Sequence, residues 1–221
     1  MTEEALAVVG DVHGDDARLE RALAYLENAK RHRVFVGDYI NRGPNSKRVL
    51  DLLCDLVARD PDNVTLLRGN HEEGLVRFLE SGDLGLFLRS GGLGTVGSYY
   101  PAPPPDVISR FAREFPPSHR RLLRRMVGWY ETAAVLVSHT GYDIARPHLR
   151  DDEVMTTSSH PGLLVPGAST LPKLVVFGHY VQQSRTPLDL GSVVCLDTGS
   201  GTFVDGRLSV LLLPEREFVQ F

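Results

Sequence analysis

Six residues able to bind a divalent cation, Asp11, His13, Asp38, Asn70, His139 and His179, each stand just after a short apolar run. "AVVG" is followed by Asp11-Val-His13, "VFVG" by Asp38 and "TLLRG" by Asn70-His71-Glu72, while "AVLVS" and "LVVFG" are followed by His139 and His179. Side chains alternate along extended backbone, so Asp11 and His13 point the same way and can chelate one ion together. Each position alone has an ordinary explanation. A Gly-Asp after a strand is commonly a turn or a helix cap, and a lone histidine is commonly a hydrogen-bonded structural group. Yet four of the eight histidines fall at such ends, three of them directly beside an Asn or a Gly. Coincidence at five strand ends is a poor explanation, and a metal site is the better one. The other four, His32, His119, His148 and His160, sit in polar surroundings and read as solvated.

The elements that must carry these residues alternate. Strands are expected at 6–10, 33–37 and 64–69, with helices near 15–29, 45–58, 72–89 and 105–127. Interleaving of this kind indicates an α/β fold, in which ligands gather outside the carboxyl ends of the strands. Further strands are expected at 132–138, 173–178 and 192–197. A closing hairpin is expected to turn at Asp205-Gly206. The stretch "SGGLGTVGSYYPAPPP" is too rich in Gly and Pro to read as a regular element, and 143–171 reads as a long irregular loop.

Composition narrows the class. With 221 residues, 42% of them apolar, the chain can bury one substantial core, and a single domain over 1–221 is expected. A net charge of −4 gives no electrostatic case for binding nucleic acid or a membrane surface. No apolar stretch approaches the ~20 residues of a membrane span, and "MTEEALAVVG" lacks a charged leader, so a cytoplasmic protein is expected. Cys54 and Cys195 lie in apolar patterns and read as buried thiols.

In this order, "GDVHG", "GDYINRG", "RGNHE", "SHTG" and "FGHY" resemble the signature blocks of the metal-dependent phosphoprotein phosphatases, calcineurin-like metallophosphoesterases, and specifically their bacterial and phage lambda-type serine/threonine branch. The resemblance implies a two-sheet β-sandwich flanked by helices. It implies that Asp11, His13 and Asp38 hold one cation, while Asp38, Asn70, His139 and His179 hold a second. Imidazole and carboxylate donors suit manganese foremost, or iron or zinc, and the lack of cysteine ligands argues against structural zinc. Two such ions can share a hydroxide for in-line attack on a phosphoester. Arg42 would grip the phosphate, and His71 would protonate the leaving oxygen. Arg68 and Glu72 read as structural, as an ion pair or a helix-start contact beneath the site.

Two departures from the family pattern stand out. Asn41 occupies the place of an Asp that orients and charges the general-acid histidine. Thr157 falls where lambda-type relatives carry a second phosphate-clamping Arg, which Arg146, Arg150 or Arg185 could replace. The implied activity is phosphomonoester hydrolysis, on phosphoprotein or a small phosphorylated metabolite. A dinucleoside polyphosphate hydrolase is the alternative, because an anhydride leaving group tolerates Asn41 better than an alkoxide does. A regulator without turnover and a nuclease are weaker readings. Tyr99 and Tyr100 read as loop packing rather than substrate stacking, and "SHRRLLRRMVGWY" as an amphipathic helix with a solvated basic face.

Overall fold

A computed structural model describes residues 5–221. Ten strands form two five-stranded sheets. In the first sheet, β1 (Leu6–Val9), β2 (His32–Phe35) and β3 (Val64–Leu66) run parallel. β9 (Ser209–Leu213) and β10 (Glu217–Gln220) add an antiparallel hairpin beside β1, in the order β10-β9-β1-β2-β3. The second sheet is ordered β4 (Trp129–Glu131), β5 (Val135–Ser138), β6 (Leu174–Phe177), β8 (Val193–Cys195), β7 (Leu188–Asp189), with β5, β6 and β8 parallel. Both are mixed sheets.

Strand alternation explains the layering. Along β1, Val8 faces the second sheet together with Val34, Val137, Val176 and Val194, and these fill the sandwich interior. Its neighbours Ala7 and Val9 face the other way, into a helical layer. Because both faces are covered, the central strands β1, β6 and β8 are apolar throughout rather than alternating. The helical layer on the first sheet comprises α1 (Asp16–Leu26), α2 (Ser46–Arg59), α3 (Asn70–Ser81), α4 (Gly85–Arg89), α5 (Gly92–Tyr99), α6 (Val107–Glu114) and α7 (Pro117–Arg125). The outer face of the second sheet is covered by Tyr142, by Met155 of the short α8 (Asp152–Thr156), and by Leu163 of a 3₁₀ turn. The order helix, sheet, sheet, helix is the architecture expected from the sequence. Among the described residues no helix is long and apolar enough to cross a membrane.

Several local expectations are corrected. The Gly-rich stretch does form a helix, α5, whose Gly92 lies directly against the Phe87 ring, where a side chain would overlap it. The expected helix at 105–127 is two helices, broken where Pro116 and Pro117 intervene. Asp205-Gly206 turns no hairpin, since the runs on either side of residues 199–206 belong to different sheets; the hairpin turns at 214–216 instead. His119 is buried rather than solvated, bonded to the Tyr99 hydroxyl at 2.6 Å and to Asp51 at 3.0 Å. Tyr99 packs on Phe111 and Phe115, as its loop-packing reading anticipates. Cys195 is a buried free thiol and Cys54 a half-buried one.

Candidate metal centre

The parallel strands of both sheets end beside one another, and their following residues converge. Asp11, His13, Asp38, His71 and His139 are all buried. Three groups of three donors form here: His13, Asp38 and His71; Asp38, His139 and His179; Asp11, His13 and Asp197. Asp38 belongs to two of them. Its carboxylate lies 3.6 Å from His13 Nε2, 3.4 Å from His139 Nε2 and 3.7 Å from His71 Nε2. These separations exceed ordinary hydrogen bonds. Two donors each ~2.1 Å from one ion stand roughly 3–4 Å apart, so the spacing suits a shared cation. Asn70 Oδ1 lies 3.0 Å from His139 Nε2 and 2.8 Å from His179 Nδ1. All six expected ligands are therefore brought together.

Backbone carbonyls set which ring nitrogen faces the centre. His13 donates its Nδ1 hydrogen to Ile40 O and His139 donates its own to Val36 O, both at 3.1 Å. Each Nε2 is thereby aimed inward, which is how protein metal sites usually orient imidazole. Two glycines make the approach possible. A Cβ at Gly178 would overlap Asp11 Oδ1, and one at Gly69 would overlap Asp38 Oδ1. The backbone is strained in the same place. Among the described residues, five of the seven non-glycine positions with positive φ are His13, Asp38, Asn41, Arg42 and His179. Strain of this kind collects at functional sites and persists only where surrounding structure enforces it.

Part of that enforcement is Glu72. Its fully buried carboxylate accepts the backbone N–H groups of Asp38 (2.8 Å), Tyr39 (2.9 Å), Ile40 (3.2 Å) and Gly69 (3.1 Å). The helix-start reading thus holds for Glu72, while Arg68 pairs with Glu73 at 3.2 Å instead. Burial and the nearby Asp38 charge push the Glu72 carboxyl up to about 7, and the four N–H donors favour its ionised form. Glu72→Gln turns an amide NH₂ toward two of those donors. We expect a loss of about 2–4 kcal/mol in unfolding free energy, read from urea titration.

The centre also has a pH signature. Burial lowers the His139 pKa, but Asp38, with Asp11 and Glu72 behind it, raises it to about 9. His139 therefore carries a proton at neutral pH until a cation displaces it. Metal affinity should fall about tenfold for each unit that pH drops below 9, with release of at least one proton on binding. Calorimetry in buffers of different ionisation enthalpy measures this directly.

The calcineurin-like phosphoesterase family model matches residues 5–183. The chain belongs to that family. Among curated proteins, this phosphoesterase is 40% identical over 70 residues to the catalytic subunit of serine/threonine-protein phosphatase 6 from Caenorhabditis elegans, covering 30% of this chain and 20% of that protein. It is 58% identical over 43 residues to the serine/threonine-protein phosphatase sitA of Aspergillus fumigatus, covering 20% of this chain and 11% of that one. The matched stretches thus span no more than about a fifth of those relatives' lengths. A crystal structure provisionally assigned as a diadenosine tetraphosphatase superposes with a TM-score of 0.68 at 22% identity, covering 100% of this chain and 94% of that one. The cold-active protein-tyrosine phosphatase of a psychrophilic Shewanella species gives 0.66 at 18%, covering 98% of this chain and 80% of that one. At these identities the likeness is one of fold.

At the rim of this phosphoesterase, Arg42 is exposed and its Nη1 donates to Thr202 Oγ1 at 2.9 Å. Asn41 lies 2.8 Å from His71 Nδ1, but its bond runs opposite to the one an Asp at this place would accept. The amide oxygen is taken by the Thr95 hydroxyl at 2.5 Å. The NH₂ faces His71 and, at 3.4 Å, Ser90 Oγ, whose own hydrogen goes to carbonyls of α4. Asn41 thus donates to His71, leaving the ring proton on Nε2. Burial, and then the Arg42 and His139 charges, hold the His71 pKa below its usual value despite Asp38. The neutral ring is the ground state.

The clamp substitutes separate. Thr157, at the end of α8, lines a cavity with Arg68, Glu73 and Arg77. Arg146 pairs with Asp143 and Arg150 with Glu131, both at 2.7 Å. Arg185 stacks 3.6 Å over the Phe203 ring and bonds Asp205, on the same loop whose Thr202 holds Arg42. Sequence reasoning misses two residues of the centre. Thr95 lies in a stretch that reads as irregular. Asp197 accepts Gly199 N–H at 3.1 Å, a local turn contact, but it also joins Asp11 and His13. It follows the apolar run of β8, so the strand-end rule applied a sixth time would find it.

Proposed function

We propose that this chain is a metal-dependent phosphomonoesterase acting on phosphoserine or phosphothreonine in proteins, or on a small phosphorylated metabolite. The observation that carries this reading is Asp38, a single buried carboxylate within reach of donors on two sides. Asp11, His13 and Asp38 would hold one divalent ion, and Asp38, Asn70, His139 and His179 a second. The fit is supported by unpartnered buried atoms, Asp11 Oδ1 and His13 Nε2. Manganese, iron or zinc suits these donors, and a pair of such ions supplies Lewis acidity and an acidified water for in-line attack on phosphorus.

The chain's own residues do the remainder. Arg42, tethered at one Nη to Thr202, offers its other N–H groups to phosphate oxygens. His71 presents Nε2–H to the leaving oxygen, with Asn41 fixing the tautomer and Thr95 fixing Asn41. Glu72 pins residues 38–40 so that Asp38 and Asn41 keep their positions. A panel of p-nitrophenyl phosphate, a phosphoserine peptide and diadenosine tetraphosphate tests the reading on manganese-loaded protein. Chelator-sensitive hydrolysis of the first two is the expected result, and no turnover of any substrate overturns it.

A second reading, dinucleoside polyphosphate hydrolysis, draws on one specific feature. The neutral His71 beside Asn41 suits a leaving group that departs without a full proton. A preference for the dinucleotide above about tenfold, or ~1.4 kcal/mol, would establish it. No electrostatic case for nucleic acid or membrane partners enters either reading.

A further inference from the structure

Asp197 is fully buried, as are Asp11 and His13 at its side, and one donor atom from each lies within 4.8 Å of the others. Each of the three is tied down at one end. Asp11 Oδ2 accepts His179 N–H at 3.0 Å, His13 Nδ1–H donates to Ile40 O at 3.1 Å, and Asp197 Oδ1 accepts Gly199 N–H. At the other end each is unpartnered. Of five buried side-chain polar atoms without a hydrogen bond among the described residues, three are Asp11 Oδ1, His13 Nε2 and Asp197 Oδ2. An acceptor placed only to brace the turn at Gly199 would not need a second buried oxygen left empty. Two adjacent buried carboxylates repel and lose hydration, a cost that a cation between them cancels.

We propose that Asp197 is a ligand of the first cation, in addition to Asp11, His13 and Asp38. This rests on the metal-centre reading above and extends it. The two ions then differ in character. The first has three carboxylates and one imidazole, and the second one carboxylate, one amide and two imidazoles. Oxygen-rich surroundings favour a harder ion such as manganese, and nitrogen-rich ones favour iron or zinc.

The test titrates manganese into metal-free wild type and Asp197→Asn, following free manganese by electron paramagnetic resonance and thermal unfolding in parallel. Wild type should bind two ions. Asp197→Asn should keep one at wild-type affinity and bind the other about 100-fold more weakly. Metal-free Asp197→Asn should melt above metal-free wild type, because one buried charge is gone, and below it once manganese is added. A brace for the turn would give no such reversal. Two ions at unchanged affinity in the variant overturn the inference alone. A wild type that binds none overturns the metal centre and the inference with it. Should the variant not fold, a manganese-loaded wild-type crystal decides. An anomalous peak roughly 2.2 Å from the Asp197 carboxylate supports ligation, and peaks only beyond hydrogen-bond range refute it.

Discussion

Asp38→Asn should bind neither ion at wild-type affinity and lose at least about 10³-fold in kcat/KM, equivalent to ~4 kcal/mol of transition-state stabilisation. The reason is position. Asp38 is the one carboxylate near donors of both proposed ions, with His13 at 3.6 Å and His139 at 3.4 Å. An amide keeps the shape but offers one weaker donor oxygen in place of two charged ones. The fold should survive the change. Backbone N–H groups of residues 38–40 remain bound to Glu72, and that lock does not involve the Asp38 side chain. His179→Ala is the matched control, since His179 groups with Asp38 and His139 and not with His13. It should remove one ion and leave the other. Circular dichroism, calorimetry and phosphoserine-peptide kinetics on the three proteins measure these effects. Activity in Asp38→Asn within about tenfold of wild type, a gap of ~1.4 kcal/mol, would show that the two ions do not depend on a shared carboxylate.

What the sequence can show of this centre, and what it hides, follows from the range of each signal. Strand ends are local: an apolar run stops and a polar residue follows, with a glycine between them before Asp11, Asp38, Asn70 and His179. Asp11, Asp38, Asn70, His139 and His179 all carry that mark, and the structure gathers them. Asp197 carries it too. An adequate local role hides it, because one of its oxygens does brace Gly199. Thr95 has no local mark. Glycine disfavours a helix by about 1 kcal/mol per residue, and α5 contains Gly92, Gly94 and Gly97. Contacts with Phe87 and with Asn41 decide in its favour, and both come from elsewhere in the chain. His119 misleads for the opposite reason. Its arginine-rich neighbours suggest a solvated face, but Tyr99 and Asp51 close over it. The hairpin is misplaced because a two-residue turn motif says nothing of which sheet each flanking run joins.

Asn41→Asp should raise kcat/KM on a phosphoserine peptide by about 10- to 100-fold while changing p-nitrophenyl phosphate hydrolysis less than about 3-fold. In the wild type the amide oxygen is held by Thr95, so the NH₂ is what His71 Nδ1 meets. A ring already accepting a hydrogen bond at Nδ1 cannot take a proton there without breaking that contact. His71 is held neutral, and burial lowers its pKa further. Aspartate at 41 can take the Thr95 hydroxyl on one oxygen and the His71 Nδ1–H on the other. It tolerates the left-handed backbone of this position, φ 69°, as asparagine does. The new carboxylate raises the His71 pKa, and a raised pKa means the proton is kept to higher pH. The limb of the pH–rate profile on which activity falls as the acid deprotonates should therefore move upward. A serine alkoxide needs that proton to leave, whereas p-nitrophenolate departs without it, so the two substrates must respond differently. Equal changes on both, or an unmoved limb, would mean that His71 is not the group delivering the proton. Thr95→Val separates orientation from charge: it frees the Asn41 amide to turn its oxygen to His71, and it should give a smaller gain in the same direction. The neutral amide, not the strained loop around it, is then what restrains this centre toward alkyl phosphates.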